Sequence, residues 1–154
     1  MRIATVALLM ISTPAFGAGT LPYGSRAGME VTVISMSGID GPSALIITKH
    51  TRENATAFCR EYVGKVTPQC IRDELNVRLS DRISANCPRG EFTNFFGKSY
   101  RFMGANKTSD DFAPKYRLRD IATGEMADGS SASGYPVNMA IFRALCPSSA
   151  PSED

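Results

Sequence analysis

Four cysteines constrain the fold of this chain more than any other feature of its sequence. They are Cys59, Cys70, Cys87 and Cys146, and no two of them form the C-x-x-C pair that is typical of zinc or redox sites. The chain contains a single histidine, which argues further against zinc and leads us to predict no metal site. An even number of cysteines in an oxidising compartment predicts two disulfides.

Local geometry favours one of the three pairings that four cysteines allow. Cys59 falls one turn before the end of a first predicted helix, and Cys70 falls in the first turn of a second. A tight helical hairpin would bring these two positions within bonding distance. Cys87 then pairs with Cys146 and ties a predicted strand to the C-terminal helix. In the chain-entropy description each bridge contributes about 2–4 kcal/mol to stability.

Residues 1–17 have the pattern of a secretory signal peptide. Arg2 supplies a positive start, an apolar run occupies 3–11, and Ala15 and Gly17 form a small-x-small cleavage site. Cleavage after Gly19 is the alternative. The apolar run is shorter than the ~20 residues of a membrane span. We therefore expect a cleaved leader and a mature chain in the periplasm or outside the cell.

Composition defines the class of the remaining chain. Of 154 residues, 43% are hydrophobic, and the formal net charge is only +2. These values argue against a disordered chain and against a dedicated nucleic-acid-binding protein. We expect one domain over 18–147, followed by a polar, disordered tail over 148–154. We find no later segment of the sequence that is long and apolar enough to span a membrane.

The hydrophobic periodicity predicts an α+β fold in which an antiparallel sheet of five or six strands packs with a helical hairpin and a buried C-terminal helix. Strands are predicted at 29–36, 44–48, 83–87, 92–96, 100–103 and 115–121. Helices are predicted to begin at Thr51, at Thr67 followed by Pro68, and at Pro136.

The two helices of the predicted hairpin each carry an apolar face that we expect to be buried. In the first helix this face consists of Ala55, Phe58, Cys59, Tyr62 and Val63. In the second helix it consists of Ile71, Leu75 and Leu79.

His50 is the only histidine available to a nucleophilic catalytic device. It stands between the second predicted strand and the first helix, where catalytic residues and helix-capping residues both occur. The Ser- and Gly-rich loop at 129–134 does not match G-x-S-x-G. The carboxylate pairs at 73–74 and 110–111 are adjacent in sequence and cannot flank a substrate bond. We therefore predict no catalytic residue and no cofactor, with His50 as the alternative.

A dense aromatic segment offers one candidate binding surface for a partner, with Phe95 and Tyr100 as its contact residues. Core packing is the more common role of such residues. Within the predicted strand at 92–96, alternation places Phe92 and Phe96 on one face and Phe95 on the other.

A row of cations offers the other candidate surface. Lys115, Arg117 and Arg119 share one face of the last predicted strand, and Arg101 on the preceding strand joins them as a candidate. The plain interpretation is a solvated sheet face, with Glu125 and Asp128 as ion-pair partners across the hairpin. The functional interpretation is a basic ladder for an anionic surface.

Three functions from different classes remain. The first, which we place ahead of the others, is a non-enzymatic binding module of the envelope or of secretion, such as an inhibitor, adaptor or assembly factor. The second is a small hydrolase that depends on His50. The third is a structural or stress-related envelope protein. For the first function we expect the partner to be an envelope protein or an anionic cell-surface component, and not a nucleic acid.

Overall fold

The computed structural model describes residues 19–108 and 110–150. The predicted signal peptide lies outside these residues, as does the predicted tail from position 151 onward. Among the described residues, no helix is long and apolar enough to cross a membrane.

Within this part of the chain, seven antiparallel strands form one sheet in which every strand pairs with its neighbours in sequence. The strands are β1 (Thr20–Pro22), β2 (Glu30–Ser37), β3 (Ala44–Lys49), β4 (Arg82–Asn86), β5 (Glu91–Thr93), β6 (Ser99–Ala105) and β7 (Tyr116–Asp120). The predicted α+β class is confirmed, with seven strands where five or six were expected. The unpredicted strand is β1, whose three residues are too few to show an alternating pattern.

The helices begin where the capping residues predict. Thr51 caps α1 (Arg52–Phe58), and Thr67 caps α2 (Pro68–Leu75), each by accepting a backbone hydrogen bond through its hydroxyl. A π-helical turn (Cys59–Val63) continues α1, and a 3-10 turn (Cys87–Arg89) follows β4. Because α2 ends at Leu75, Leu79 lies beyond the helix predicted to contain it and packs against the sheet core instead.

The main core lies between one face of the sheet and the C-terminal helix α3 (Tyr135–Leu145). Phe142 of this helix is fully buried, and its ring centroid lies 5.3 Å from that of Phe92 and 4.6 Å from that of Phe102. Along the strands, buried residues such as Ile83 and Leu118 alternate with exposed polar ones. The predicted buried C-terminal helix is confirmed.

Both predicted disulfides are present. Cys87 pairs with Cys146 within the main core, with a Cα–Cα distance of 5.5 Å. Cys59 pairs with Cys70 in the helical hairpin, with a Cα–Cα distance of 6.1 Å. Disulfides of this kind are typical of proteins in oxidising compartments.

The helical hairpin has a small core of its own, formed by Ala55, Cys59 and Ile71. Tyr62 and Val63 were expected on its buried face, and the structure shows that expectation to be wrong because both are about half exposed. The reason lies in the backbone. A π-helical turn replaces the α-helix from Cys59 onward, so its wider turn rotates the following side chains away from the 3.6-residue face.

The beginning of the predicted disordered tail lies on the domain. The amide and hydroxyl of Ser148 each donate a hydrogen bond of 2.9 Å to the carboxylate of Asp40, in the turn between β2 and β3. Ala150 is fully buried against the main core. The expectation of disorder is therefore wrong for 148–150, where a partner distant in sequence holds the chain.

Candidate functional site

Strand pairing brings charged residues of three strands together on the sheet face opposite α3. Glu91 of β5 stands directly opposite Arg101 of β6, and Arg101 stands directly opposite Arg119 of β7. Their sequence neighbours Phe92, Tyr100 and Leu118 fill the core on the other face. Since successive side chains of a strand point to opposite faces, the three charged residues form a row toward solvent.

The row contains more positive than negative charge. The Glu91 carboxylate forms ion pairs with Arg101 and, at 3.3 Å, with Arg89. The hydrogen bond from Arg101, followed by the charges of both arginines, holds the pKa of Glu91 below its usual range. Arg119 forms no ion pair within the described residues. Two arginines thus stand opposite each other, and the single carboxylate of the row, at its β5 end, pairs with Arg101 and Arg89 but not with Arg119.

The remaining predicted cations extend this surface. Arg117 is exposed, and its guanidinium donates a 3.1 Å hydrogen bond to the carbonyl of Met103. Lys115 precedes β7, and its Nζ lies 5.8 Å from the centroid of the Tyr116 ring. We refer to Arg101, Lys115, Arg117 and Arg119 as the basic face.

The acidic partners expected for these cations do not hold them. Neither Glu125 nor Asp128 forms an ion pair in the described part of the chain. The Asp128 carboxylate accepts a 2.8 Å hydrogen bond from the Ser130 amide instead, and hydrogen bonds to Ser130 lower the pKa of Asp128. Glu91, which the sequence interpretation missed, pairs with Arg101 and with no other cation of the basic face. Strand alternation from the buried Phe92 could have placed Glu91 on this face.

An open groove of about 510 Å³ lies beside the row of charges. Its floor carries Ser84, Thr93 and Ser99, which are consecutive partners across β4, β5 and β6. Leu45 and Ile121 line the same groove. The one charged residue of the groove lining is Glu91, so the cations of the basic face lie beside the groove and not within it. The groove itself combines hydroxyl groups with flanking apolar contacts, which is a composition suited to a polypeptide.

The two aromatic candidates are mostly buried. Phe95 and Tyr100 both belong to the main core, which is the packing role we weighed against binding, and Tyr100 also lines a second open groove of about 450 Å³ together with Phe96. For Phe95, the predicted strand at 92–96 is wrong at its end: β5 stops at Thr93, and a turn reverses the alternation. Phe96 is the exposed residue of the pair.

His50 lies in a mostly buried polar cluster with Tyr23 and Glu74. Its Nε2 is 3.8 Å from Glu74 Oε1, and its ring centroid is 5.3 Å from that of Tyr23. Burial lowers the pKa of the His50 imidazole and raises the pKa of the Glu74 carboxyl. Among the described residues, neither ring nitrogen has a hydrogen-bond partner, so no hydroxyl is positioned for activation by His50.

Comparison with known proteins adds no relative. No family model matches the chain, and neither the curated proteins nor the solved structures include a significant match. Within the residues that the structure describes, no group of three or more His, Cys, Asp or Glu side chains could hold a metal ion. The basic face and its groove are therefore the candidate functional site.

Proposed function

We propose that this protein is an exported, non-enzymatic binding module whose basic face binds an acidic surface of an envelope protein. The pairing of Arg101 with Arg119 carries this proposal. Like charges placed directly opposite each other in a sheet cost stability. A carboxylate at position 119 would instead make the charges alternate in sign across β5, β6 and β7, because Glu91 stands opposite Arg101 and Arg101 opposite position 119. Cations arranged at the expense of folding suit a surface that meets an anionic partner.

The hydroxyl row favours a polypeptide as that partner. The Thr93 and Ser99 hydroxyls are hydrogen-bonded to each other at 3.2 Å, and each hydroxyl of the row keeps capacity for a further hydrogen bond. Ser84, Thr93 and Ser99 can therefore bond to main-chain amide and carbonyl groups that lie along the groove. Acidic side chains of the same segment can then reach the guanidinium groups of Arg117 and Arg119 and form charge-assisted hydrogen bonds with them. Leu45 and Ile121 add apolar contact area.

The proposed location is the periplasm or the extracellular medium. It is supported by the signal-peptide pattern of residues 1–17 and by the two disulfides, which require oxidising conditions to persist. Envelope proteins with acidic surfaces are among the partners that a protein in this location meets.

The test is affinity capture from the envelope fraction of the source cells, followed by titration of the purified partner. Arg117→Glu/Arg119→Glu should weaken the complex by about 100-fold, and added salt should weaken the wild-type complex. Arg52→Glu/Arg78→Glu is the matched control, because it reverses two exposed cations away from β6 and β7. Equal loss in this control, a partner retained by the basic-face variant, or no partner at all would overturn the proposal.

A further inference from the structure

We propose that the hairpin tip, residues 60–66, attaches the protein to the surface of a bilayer that contains anionic lipid. All residues of the tip are exposed. Its three large apolar side chains, Tyr62, Val63 and Val66, are 48%, 51% and 47% exposed, and none of them belongs to either core. This inference concerns a surface other than the basic face and does not depend on the proposed function.

The tip is held in a fixed, convex shape. The π-helical turn ends at Gly64, which adopts the left-handed conformation at φ 74°, and its amide donates to the Cys59 carbonyl. A side chain at Gly64 would meet nothing within 4 Å, so the turn projects into solvent. The disulfide between Cys59 and Cys70 closes the segment at its base. A rigid tip loses little conformational entropy when it binds.

Cations surround the apolar side chains of the tip. Arg60 and Lys65 lie within it, and the Arg26 guanidinium lies 4.7 Å from the centroid of the Tyr62 ring. Glu61 is the one carboxylate in 60–66. Tyrosine and valine flanked by arginine and lysine are typical of segments at an anionic membrane interface, where rings sit at headgroup depth and cations meet lipid phosphates.

The shape of the tip favours a bilayer over a protein pocket. A bilayer surface accepts a projecting side chain without a preformed cavity, whereas a partner protein must supply a concave site that matches it. The stacked rings of Phe58 and Tyr62, 5.4 Å apart, continue the apolar surface toward the base of the hairpin. A protein pocket remains the competing occupant that the experiment must separate.

Vesicle flotation of the mature, oxidised protein tests this proposal. Vesicles of equal parts phosphatidylglycerol and phosphatidylcholine should bind the protein, and pure phosphatidylcholine should bind it less. Tyr62→Ser/Val63→Ser/Val66→Ser should reduce binding by about tenfold or more. The matched control is Ile34→Ser/Met36→Ser, which removes two exposed apolar side chains from β2 and should leave binding unchanged. Thermal unfolding of each variant verifies that it remains folded.

A spectroscopic probe locates the contact directly. The chain contains no tryptophan, so Tyr62→Trp introduces a single indole at the tip. Its emission should shift to shorter wavelength with phosphatidylglycerol vesicles and become protected from acrylamide. No vesicle binding, binding that survives loss of the apolar tip, or binding lost only in Arg117→Glu/Arg119→Glu would overturn the proposal; the first result would leave a protein pocket as the occupant.

Discussion

The main core and the helical hairpin each contain one disulfide, but the bonds lie in very different surroundings. The bridge between Cys87 and Cys146 is embedded among the buried side chains of the sheet and α3. The bridge between Cys59 and Cys70 belongs to a cluster whose other buried members are Ala55 and Ile71. The hairpin therefore depends on its covalent bond far more than the sheet does.

The same contrast separates residues that stabilise the fold from residues available for contact. In the main core, large apolar side chains such as Phe142 are buried. In the hairpin, apolar side chains such as Tyr62 face solvent, and on the outer sheet face arginines stand opposite each other. Neither surface arrangement contributes much to folding, so both are candidates for recognition.

The largest effect is expected in the main core. Phe142→Ala should lower the free energy of unfolding by about 3–5 kcal/mol, because it opens a cavity between the rings of Phe92 and Phe102. Denaturant titration followed by circular dichroism measures the loss. Val63→Ser in the hairpin, at a side chain that is 51% exposed, should change stability by no more than about 0.5 kcal/mol. Similar losses for the two variants would remove the distinction between the regions.

The next largest effect is expected when the disulfide of the helical hairpin is removed and that of the main core is kept. Cys59→Ala/Cys70→Ala should lower stability by about 2–3 kcal/mol, since it releases a constraint on the unfolded chain. Amide hydrogen exchange should accelerate in α1 and α2 and change little in β3 to β6. A uniform acceleration across the sheet would show that the hairpin is not a separate unit of stability.

A smaller effect is expected at Glu74 of α2, which lies close to His50, the residue that follows β3. A carboxyl whose pKa is raised by folding contributes stability below its unfolded pKa, and loses that contribution as pH rises through its folded pKa. Glu74→Gln should therefore raise the melting temperature at about pH 8, with the difference vanishing toward about pH 4. A variant that melts below wild type at the higher pH would contradict the assignment.

For His50 we expect a pH dependence of stability opposite to that of Glu74. Burial lowers its pKa, so the folded state binds fewer protons than the unfolded state as pH falls below about 6.5, and stability declines. His50→Gln should flatten this acid limb without changing stability at about pH 8. An unchanged acid limb would show that other groups determine it.

The smallest expected effect is a gain in stability. Arg119→Glu replaces a like-charge pair with an attractive one opposite Arg101, and should stabilise the domain by about 0.2–1 kcal/mol. The same substitution should weaken binding of the acidic partner. Thermal unfolding at low salt measures the first effect. A clear loss of stability would mean that Arg119 supports the fold, which would remove the main reason for assigning it to a partner.

The sequence predicted the features that arise from local patterns. The caps Thr51 and Thr67, the alternation around Leu118 and the two disulfides all follow from neighbours a few residues apart or from a limited set of pairings. The sequence failed where the backbone left a regular period. The π-helical turn at Cys59 redirected Tyr62, and the early end of β5 reversed Phe95 and Phe96.

The candidate site was predicted in part. The exposed cations of β7 follow from alternation, but their environment depends on strand register, which the sequence did not fix. Only the register shows that Arg101 lies opposite Arg119, and that Glu91 lies opposite Arg101. The hydroxyl row of the groove joins three strands and has no signature in any single one.

Photo-cross-linking from beside the basic face tests the central claim most directly. Ile121→p-benzoylphenylalanine, produced in the source cells and irradiated there, places the reactive group in the groove next to Arg119 and keeps every cation of the basic face. The same replacement at Arg52 is the control, because that residue is exposed at the start of α1. The account predicts one discrete adduct, from position 121 alone, whose partner presents an acidic surface. No adduct from position 121, or the same adduct from both positions, would contradict it.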